Sequence, residues 1–367
     1  MLIRLFVFIF SICLVVATEP EIENDYVEGG KDFVYAAYLP EYRMNDEDWG
    51  MHASRTSDLI LFSVETSQSG ALTHTTRLAP HMDNARAARE DYDTNLIVSI
   101  GGGGRSKYFE QVTGNERTRK RLADNLAQYV VNNQLDGVDI DWEGRNSQQH
   151  TDNMLKLVDD LRNALASKFK AKSFILSVAV HPGDNTVVDI ANNDNVDRVH
   201  LMAYDWCRSL PCKHSAFDAT INSLKLLIDN GVPAKKLILG LPAYGRHMQE
   251  PDKALTYAEI LVDHGPITDS SNEDADGEYF FNGRDMVVEK AKTAYELGCG
   301  GVFFWEAGQD YNKDTRSLLA AVRDWVHLDD VLSDEPAARV LHTGVGEFKI
   351  EPVPMPADTV VDGKEEL

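Results

Sequence analysis

The chain has 367 residues and a 43% hydrophobic share, enough for one large domain with a sizeable core. Its net charge is −23, from 59 acidic against 36 basic residues. That balance argues against nucleic acid or an anionic membrane as a partner, and suits a neutral or cationic substrate.

Residues 2–17 read as a secretory signal: Arg4 carries the one charge, an apolar run covers Leu5 to Val16, and Ala17 offers a cleavage point. The run is short for a bilayer span and Glu19-Pro20 follow at once, so removal is expected rather than insertion. An acidic lead-in covers residues 18–30. Apolar strand-like runs then recur at Phe33–Leu39, Leu59–Val64, Leu96–Ile100, Leu135–Asp141, Phe174–Val180, Val199–Tyr204, Leu237–Leu241 and Val302–Trp305. Helix-like stretches lie between them: Thr118–Asn133, Thr151–Lys168, Ala219–Asn230, Met286–Leu297 and Ser317–Val326. In the third, Ile221, Leu224, Leu226, Leu227 and Ile228 are read on one side, and Asn230-Gly231 gives a stop signal before Pro233.

Eight strands alternating with helices over residues 31–328 predict a (β/α)8 barrel. The rival, a doubly wound open sheet, wants a glycine-rich phosphate loop after its first strand, and Tyr38-Leu39-Pro40-Glu41 is not one. A barrel places chemistry at the C-terminal ends of its strands. There the sequence sets Ser99 with Gly101-Gly102, the acids around Asp141, Tyr204-Asp205, Tyr244 and Trp305.

The densest signal is Leu135-Asp136-Gly137-Val138-Asp139-Ile140-Asp141-Trp142-Glu143. On a strand, Asp139, Asp141 and Glu143 share one face, and Asp136, Val138, Ile140 and Trp142 the other. Side chains two apart are separated by roughly 7 Å, where like charges repel by about 2.4 kcal/mol at an effective dielectric of about 20. The trio therefore retains at least one proton near neutral pH, as a general acid requires. Asp136 faces away and reads as structural.

Cys13 leaves with the signal, Cys207 and Cys212 are spaced to bridge a loop in an oxidising compartment, and Cys299 reads as a small buried residue. The acidic loop Asn272–Gly277 fits a calcium frame poorly, with Asn at position one and Gly283 at position twelve, so a solvated loop is expected. No metal-ligand spacing, cofactor motif or N-glycosylation sequon is found. Residues 329–367 form an acidic tail with Pro352, Pro354 and Pro356, ending Lys364-Glu365-Glu366-Leu367. That end differs by one residue from the Lys-Asp-Glu-Leu retention signal, so a receptor-held protein of the endoplasmic reticulum lumen is expected, or otherwise a secreted one.

With those residues in view, the chain resembles glycoside hydrolase family 18, the family of chitinases and some endo-β-N-acetylglucosaminidases. Asp136–Glu143 fits its D-x-x-D-x-D-x-E motif in full. Ser99-Ile100-Gly101-Gly102, Met202-Ala203-Tyr204-Asp205, Leu239–Arg246 and Gly300–Trp305 resemble its motifs on strands three, six, seven and eight. The resemblance implies retaining hydrolysis of β-1,4-linked N-acetylglucosamine oligosaccharides or chitin, with the substrate's own acetamido group as nucleophile. It makes Glu143 the general acid, Asp141 the partner of the acetamido N–H, and Asp139 a sharer of its proton, with Ser99 and Tyr35 behind them. Tyr204 would position the acetamido group, Trp305 would floor the sugar, and Asp205, Met202 and Gly102 would line its site. Leu39 and Gly103 stand where many chitinases carry tryptophans, and Gly144-Arg145 replaces a frequent Tyr-Pro. The interval from Arg246 to Gly300 looks too short for the family's extra α+β insertion. A shallow cleft for soluble oligosaccharides follows. The alternatives are an endo-β-N-acetylglucosaminidase acting on the N-glycan core and a non-catalytic lectin.

Overall fold

The structure is a computed structural model and describes residues 32–327 except 46, 169–173, 208, 264–277 and 314. The secretory signal, the lead-in, the loop Asn272–Gly277 and the tail with its Lys364–Leu367 end lie outside the described residues.

Eight parallel strands form the barrel: β1 Val34–Pro40, β2 Asp58–Thr66, β3 Asn95–Gly101, β4 Gly137–Asp141, β5 Ile175–Val180, β6 Arg198–Leu201, β7 Leu237–Pro242 and β8 Gly301–Trp305. Each pairs with its neighbours in chain order, and β1 pairs with both β2 and β8, so the sheet closes. The strands are apolar on both faces because each is covered twice. Val34, Ala36, Ile60, Ile97, Ala179, Ile238 and Phe303 fill the interior, while Ala37, Leu39, Leu61, Val98, Val138, Leu176 and Leu239 belong to the outer core shared with the helices. Where strands approach most closely glycine is required: a Cβ on Gly137 would meet the Ile175 carbonyl oxygen at 2.3 Å.

The helices follow from pattern and caps. Asn115 accepts from the Arg117 and Thr118 amides and starts the helix Glu116–Asn133, whose Leu122, Ala123, Leu126, Ala127 and Val130 are buried. Burying that stripe against the sheet, not intrinsic propensity, holds such a helix in place. In Phe217–Asp229, Ile221, Leu224 and Leu227 face the core but Leu226 stays 41% exposed. Two residues from Leu224 is about 200° around the helix, so it cannot share that face. Cys299 is a buried free thiol.

Between β7 and β8 the chain holds more than a connection. Tyr244–His247 is the centre of a three-stranded antiparallel sheet with Ala254–Thr256 and Tyr279–Phe280, and helix Tyr257–Asp263 packs on it. The interval judged too short for an insertion thus carries a small one. Its strands are two to four residues long, below what periodicity can register.

Candidate active site

The site is built at the C-terminal mouth of the barrel, with β4 at its centre. Strand register sets Ser99 of β3 and Ser177 of β5 on either side of Asp139. Asp139 Oδ1 accepts from Ser177 Oγ at 2.6 Å, and Oδ2 accepts from Ser99 Oγ at 3.0 Å and from the Tyr38 hydroxyl at 2.9 Å. Tyr38 also bonds His200 Nδ1 at 2.9 Å. Burial, with Arg198 adding to it, pushes the His200 imidazole down to about 3, so it is neutral. Burial raises Asp139 above its ordinary range, and the three hydroxyl donors pull against that rise.

Tyr35, expected behind the trio, is elsewhere. Its hydroxyl bonds His327 Nε2 at 2.8 Å, and its ring packs against the outer core. Alternation along β1 gives the reason: Val34, Ala36 and Tyr38 point inward, Tyr35, Ala37 and Leu39 outward. Tyr38 fills the place assigned to Tyr35. The same alternation buries Leu39 in the outer core, where it cannot face a sugar.

Asp141 ends β4. It is 3% exposed, and its Oδ1 has no hydrogen-bond partner in the protein. Burial, then the charges of Glu143 and Asp139, raise its carboxyl well above the usual range. Glu143 lies one step further out, half-buried. Burial raises it too; Asp205 adds to the rise, while His181, the Gly103 amide and Arg145 oppose it. Burial thus raises both carboxyls, and Asp141 is the more deeply buried of the two. Trp142 points the other way and stacks on Phe109 at 5.3 Å. Asp136 also points away, accepting from the Leu96 amide at 2.8 Å.

The turn after β3 fits tightly under these acids. Gly101 and Gly102 have φ of +101° and +102°, and Gly102 donates to the Asp141 carbonyl at 2.7 Å. A Cβ on Gly102 would meet the Phe62 ring at 2.2 Å, so this residue supports the wall through its backbone. Gly103 is exposed, and a Cβ there would stand 3.6 Å from Glu143 Oε1.

The opposite wall comes from β6 to β8. Tyr204 is 5% exposed, with ring contacts to Phe303 and Tyr244. Burial and the charge of Asp141 raise its hydroxyl far above the ordinary range, so it is a neutral donor. Met202 is buried in the interior cluster, and half-buried Trp305 rests edge-on against Phe62 at 5.0 Å. Asp205 accepts from the Tyr244 hydroxyl at 2.7 Å and from Arg246 Nη2 at 2.8 Å. Tyr244 and Arg246 are two apart on the insertion strand and so face one way. Burial alone would lift Asp205, but Arg246, His214 and Tyr244 hold it well below the carboxylate range. A disulfide joins Cys207 and Cys212, whose Cα atoms lie 4.8 Å apart, in the loop that follows.

Sequence reasoning missed Tyr38, Ser177 and His200. Strand alternation carried the signal for all three, since each lies on the inward register of its strand. Arg145 and Asp184 gave no such signal, because both sit in loops. Among the described residues no group of His, Cys, Asp and Glu could hold a metal ion, and no helix is long and apolar enough to cross a membrane.

The arrangement offers two carboxyls raised by burial, a third buried beneath them, two tyrosine hydroxyls and an indole face around the mouth of the barrel. The family model for glycosyl hydrolases family 18 matches residues 34–310. Chitinase 1 of Aphanocladium album is 27% identical over 278 residues, 63% of this chain and 65% of the relative, so the chain spans a little under two thirds of that protein. Among solved structures, a class V chitinase mutant of Nicotiana tobaccum in complex with NAG4 superposes with a TM-score of 0.69 at 19% identity, over 80% of this chain and 99% of that one. The chitinase-like agglutinin of Robinia pseudoacacia gives 0.66 at 22% identity, over 79% and 99%.

Proposed function

The chain belongs to the glycosyl hydrolases of family 18, and on that premise we propose that it hydrolyses β-1,4 bonds next to N-acetylglucosamine in soluble oligosaccharides, with retention of configuration. One observation carries the reading: the carboxyl stack Asp139–Asp141–Glu143, whose middle member is deeply buried, with its carboxyl raised well above the usual range and one oxygen unpartnered.

An acetamido N–H aimed at Asp141 Oδ1 favours the ionised form of that acid, because a hydrogen bond to a carboxylate stabilises its charge. The proton is then better held by Glu143. The acetamido carbonyl oxygen attacks the anomeric carbon as the bond to the leaving sugar breaks, and Glu143 gives its proton to the departing oxygen. The Glu143 carboxylate next takes a proton from water, whose oxygen attacks the same carbon from the face the leaving sugar vacated while the bond to the acetamido oxygen breaks and its electron pair returns to the acetamido group. Two displacements return the original configuration. Asp141 and Asp139 supply fixed negative charge for the cation-like ring, Tyr204 donates to the acetamido oxygen, and Trp305 provides an apolar floor. Gly103 supports soluble substrates over a crystalline polymer, since it offers no ring for a distal sugar to stack on.

Substitution Glu143→Gln keeps the shape and removes the proton. Turnover should fall by about 10³-fold with the melting temperature little changed; a folded variant with undiminished turnover would sink the assignment. The N-glycan core remains the alternative substrate, and a lectin role the alternative without catalysis, a use the Robinia agglutinin shows this fold can serve. Retention in the endoplasmic reticulum is part of the proposal. Deleting residues 364–367 should release the protein to the medium, and continued retention would remove the reason for it.

A further inference from the structure

From the loop that follows Glu143 we propose that Arg145 is a positioning residue of the reaction: a fixed positive charge, clamped by Asp184 and the Trp142 carbonyl, that governs when Glu143 holds its proton. The inference rests on Glu143 being the general acid.

Gly144, with φ of +82°, turns the chain directly after Glu143 and leads into Arg145. The Arg145 side chain is only 5% exposed. Its Nη1 donates to the Trp142 carbonyl at 2.8 Å and its Nη2 to Asp184 Oδ2 at 2.7 Å, while Nε has no partner. Asp184 is itself fixed, accepting from the Thr186 amide at 2.9 Å and from its hydroxyl. Against burial, Arg145 and Thr186 hold the Asp184 carboxyl below its ordinary range. Burying a guanidinium strips it of hydration, and an apolar side chain could close the same turn without that cost. The cost is understandable if the charge has a task.

The groups that face Glu143 define that task. His181 comes from the loop after β5, the Gly103 amide from the loop after β3, Asp205 from the end of β6, and Asp141 and Arg145 from either side on its own segment. Tyr204 faces it as a neutral phenol. Of these, Arg145 is the one cation at every working pH. Burial, Asp141 and Asp205 make Glu143 reluctant to ionise, and a general acid must also give its proton up. Arg145 opposes that reluctance without touching the substrate. Asp184 fixes the distance at which it does so.

The test is a carboxyl ¹³C NMR titration of the full-length protein. The Glu143 signal is assigned by its loss in Glu143→Gln. Arg145→Gln, which can still donate to the Trp142 carbonyl, should raise the Glu143 midpoint by about half a pH unit or more. The alkaline limb of kcat/KM should move up with it, because the acid stays protonated to higher pH. Arg145→Lys, which keeps the charge, should return both towards the parent values. Arg145→Met serves the same comparison should the glutamine variant not fold. An unchanged midpoint in a folded neutral variant, or a lysine variant that behaves like the neutral ones, overturns the proposal. The titration needs no turnover. A chain that hydrolyses nothing would defeat the reading of Glu143 as the acid while the midpoint still decided whether Arg145 governs its proton.

Discussion

Asp141 and Asp205 are the same residue type on two walls of one mouth, and the protein treats them oppositely. Asp141 is buried among other acids with one oxygen unpartnered, and its carboxyl is driven up. Asp205 is gripped by Arg246 and Tyr244 and its carboxyl is driven down. The difference teaches that charge at this site is assigned by partners and not by residue identity. The β4 wall favours the protonated form of its acid. The β6 wall stores a permanent anion whose own cation keeps it from repelling the first wall at full strength.

The largest expected effect lies on the β4 side. Asp141→Asn keeps the shape but removes the acid that, on the proposed route, exchanges its proton for the acetamido N–H, and kcat should fall by about 10²-fold or more. The corresponding Asp205→Asn should act mainly on KM, because Asp205 orients and does not hand over a proton. If the two variants lost kcat equally, the contrast would collapse.

A smaller effect sharpens the contrast through stability. Asp141 has a folded pKa above its unfolded one, so its contribution is present at low pH and lost as pH rises through the raised value. Asp205 has a folded pKa below its unfolded one, so its contribution is present above the ordinary carboxylate range and lost only as pH falls well below it. Melting temperature followed against pH should therefore lose part of its neutral-side decline in Asp141→Asn and part of its acid-side decline in Asp205→Asn. Parallel curves for both variants would contradict the assignment.

The smallest effect separates two tyrosines. Tyr38→Phe removes one of three donors to a buried carboxylate and should cost about 1–3 kcal/mol together with a loss of turnover. Tyr35→Phe removes one half-buried bond to His327 and should cost about 1 kcal/mol or less with turnover unchanged.

That pair also marks what the sequence could disclose. The eight strands were legible as short apolar runs because each is covered on both faces, and the facing of Asp139, Asp141 and Glu143 because side chains alternate with a two-residue period along a strand. The same period placed Tyr38 inward, and only preference for a family position pointed to Tyr35. Other parts left no local trace. Which hydroxyls reach Asp139 depends on register between strands some 40 residues apart, as Ser99, Asp139 and Ser177 show. The clamp on Arg145 closes between two loops, where no periodicity operates. The three-stranded sheet that aims Tyr244 and Arg246 is made of segments too short to announce themselves.

The central claim is a proton-sharing carboxyl stack that serves an acetamido-assisted, retaining cleavage. Its most direct test is ¹H NMR of the first products when the purified protein meets chitotetraose, read before mutarotation. Fresh reducing ends should appear in the β-anomeric form, with that signal absent from Glu143→Gln. Fresh ends that appear first as the α-anomer would contradict it, and so would tight binding with no cleavage of either chitotetraose or an N-glycan core.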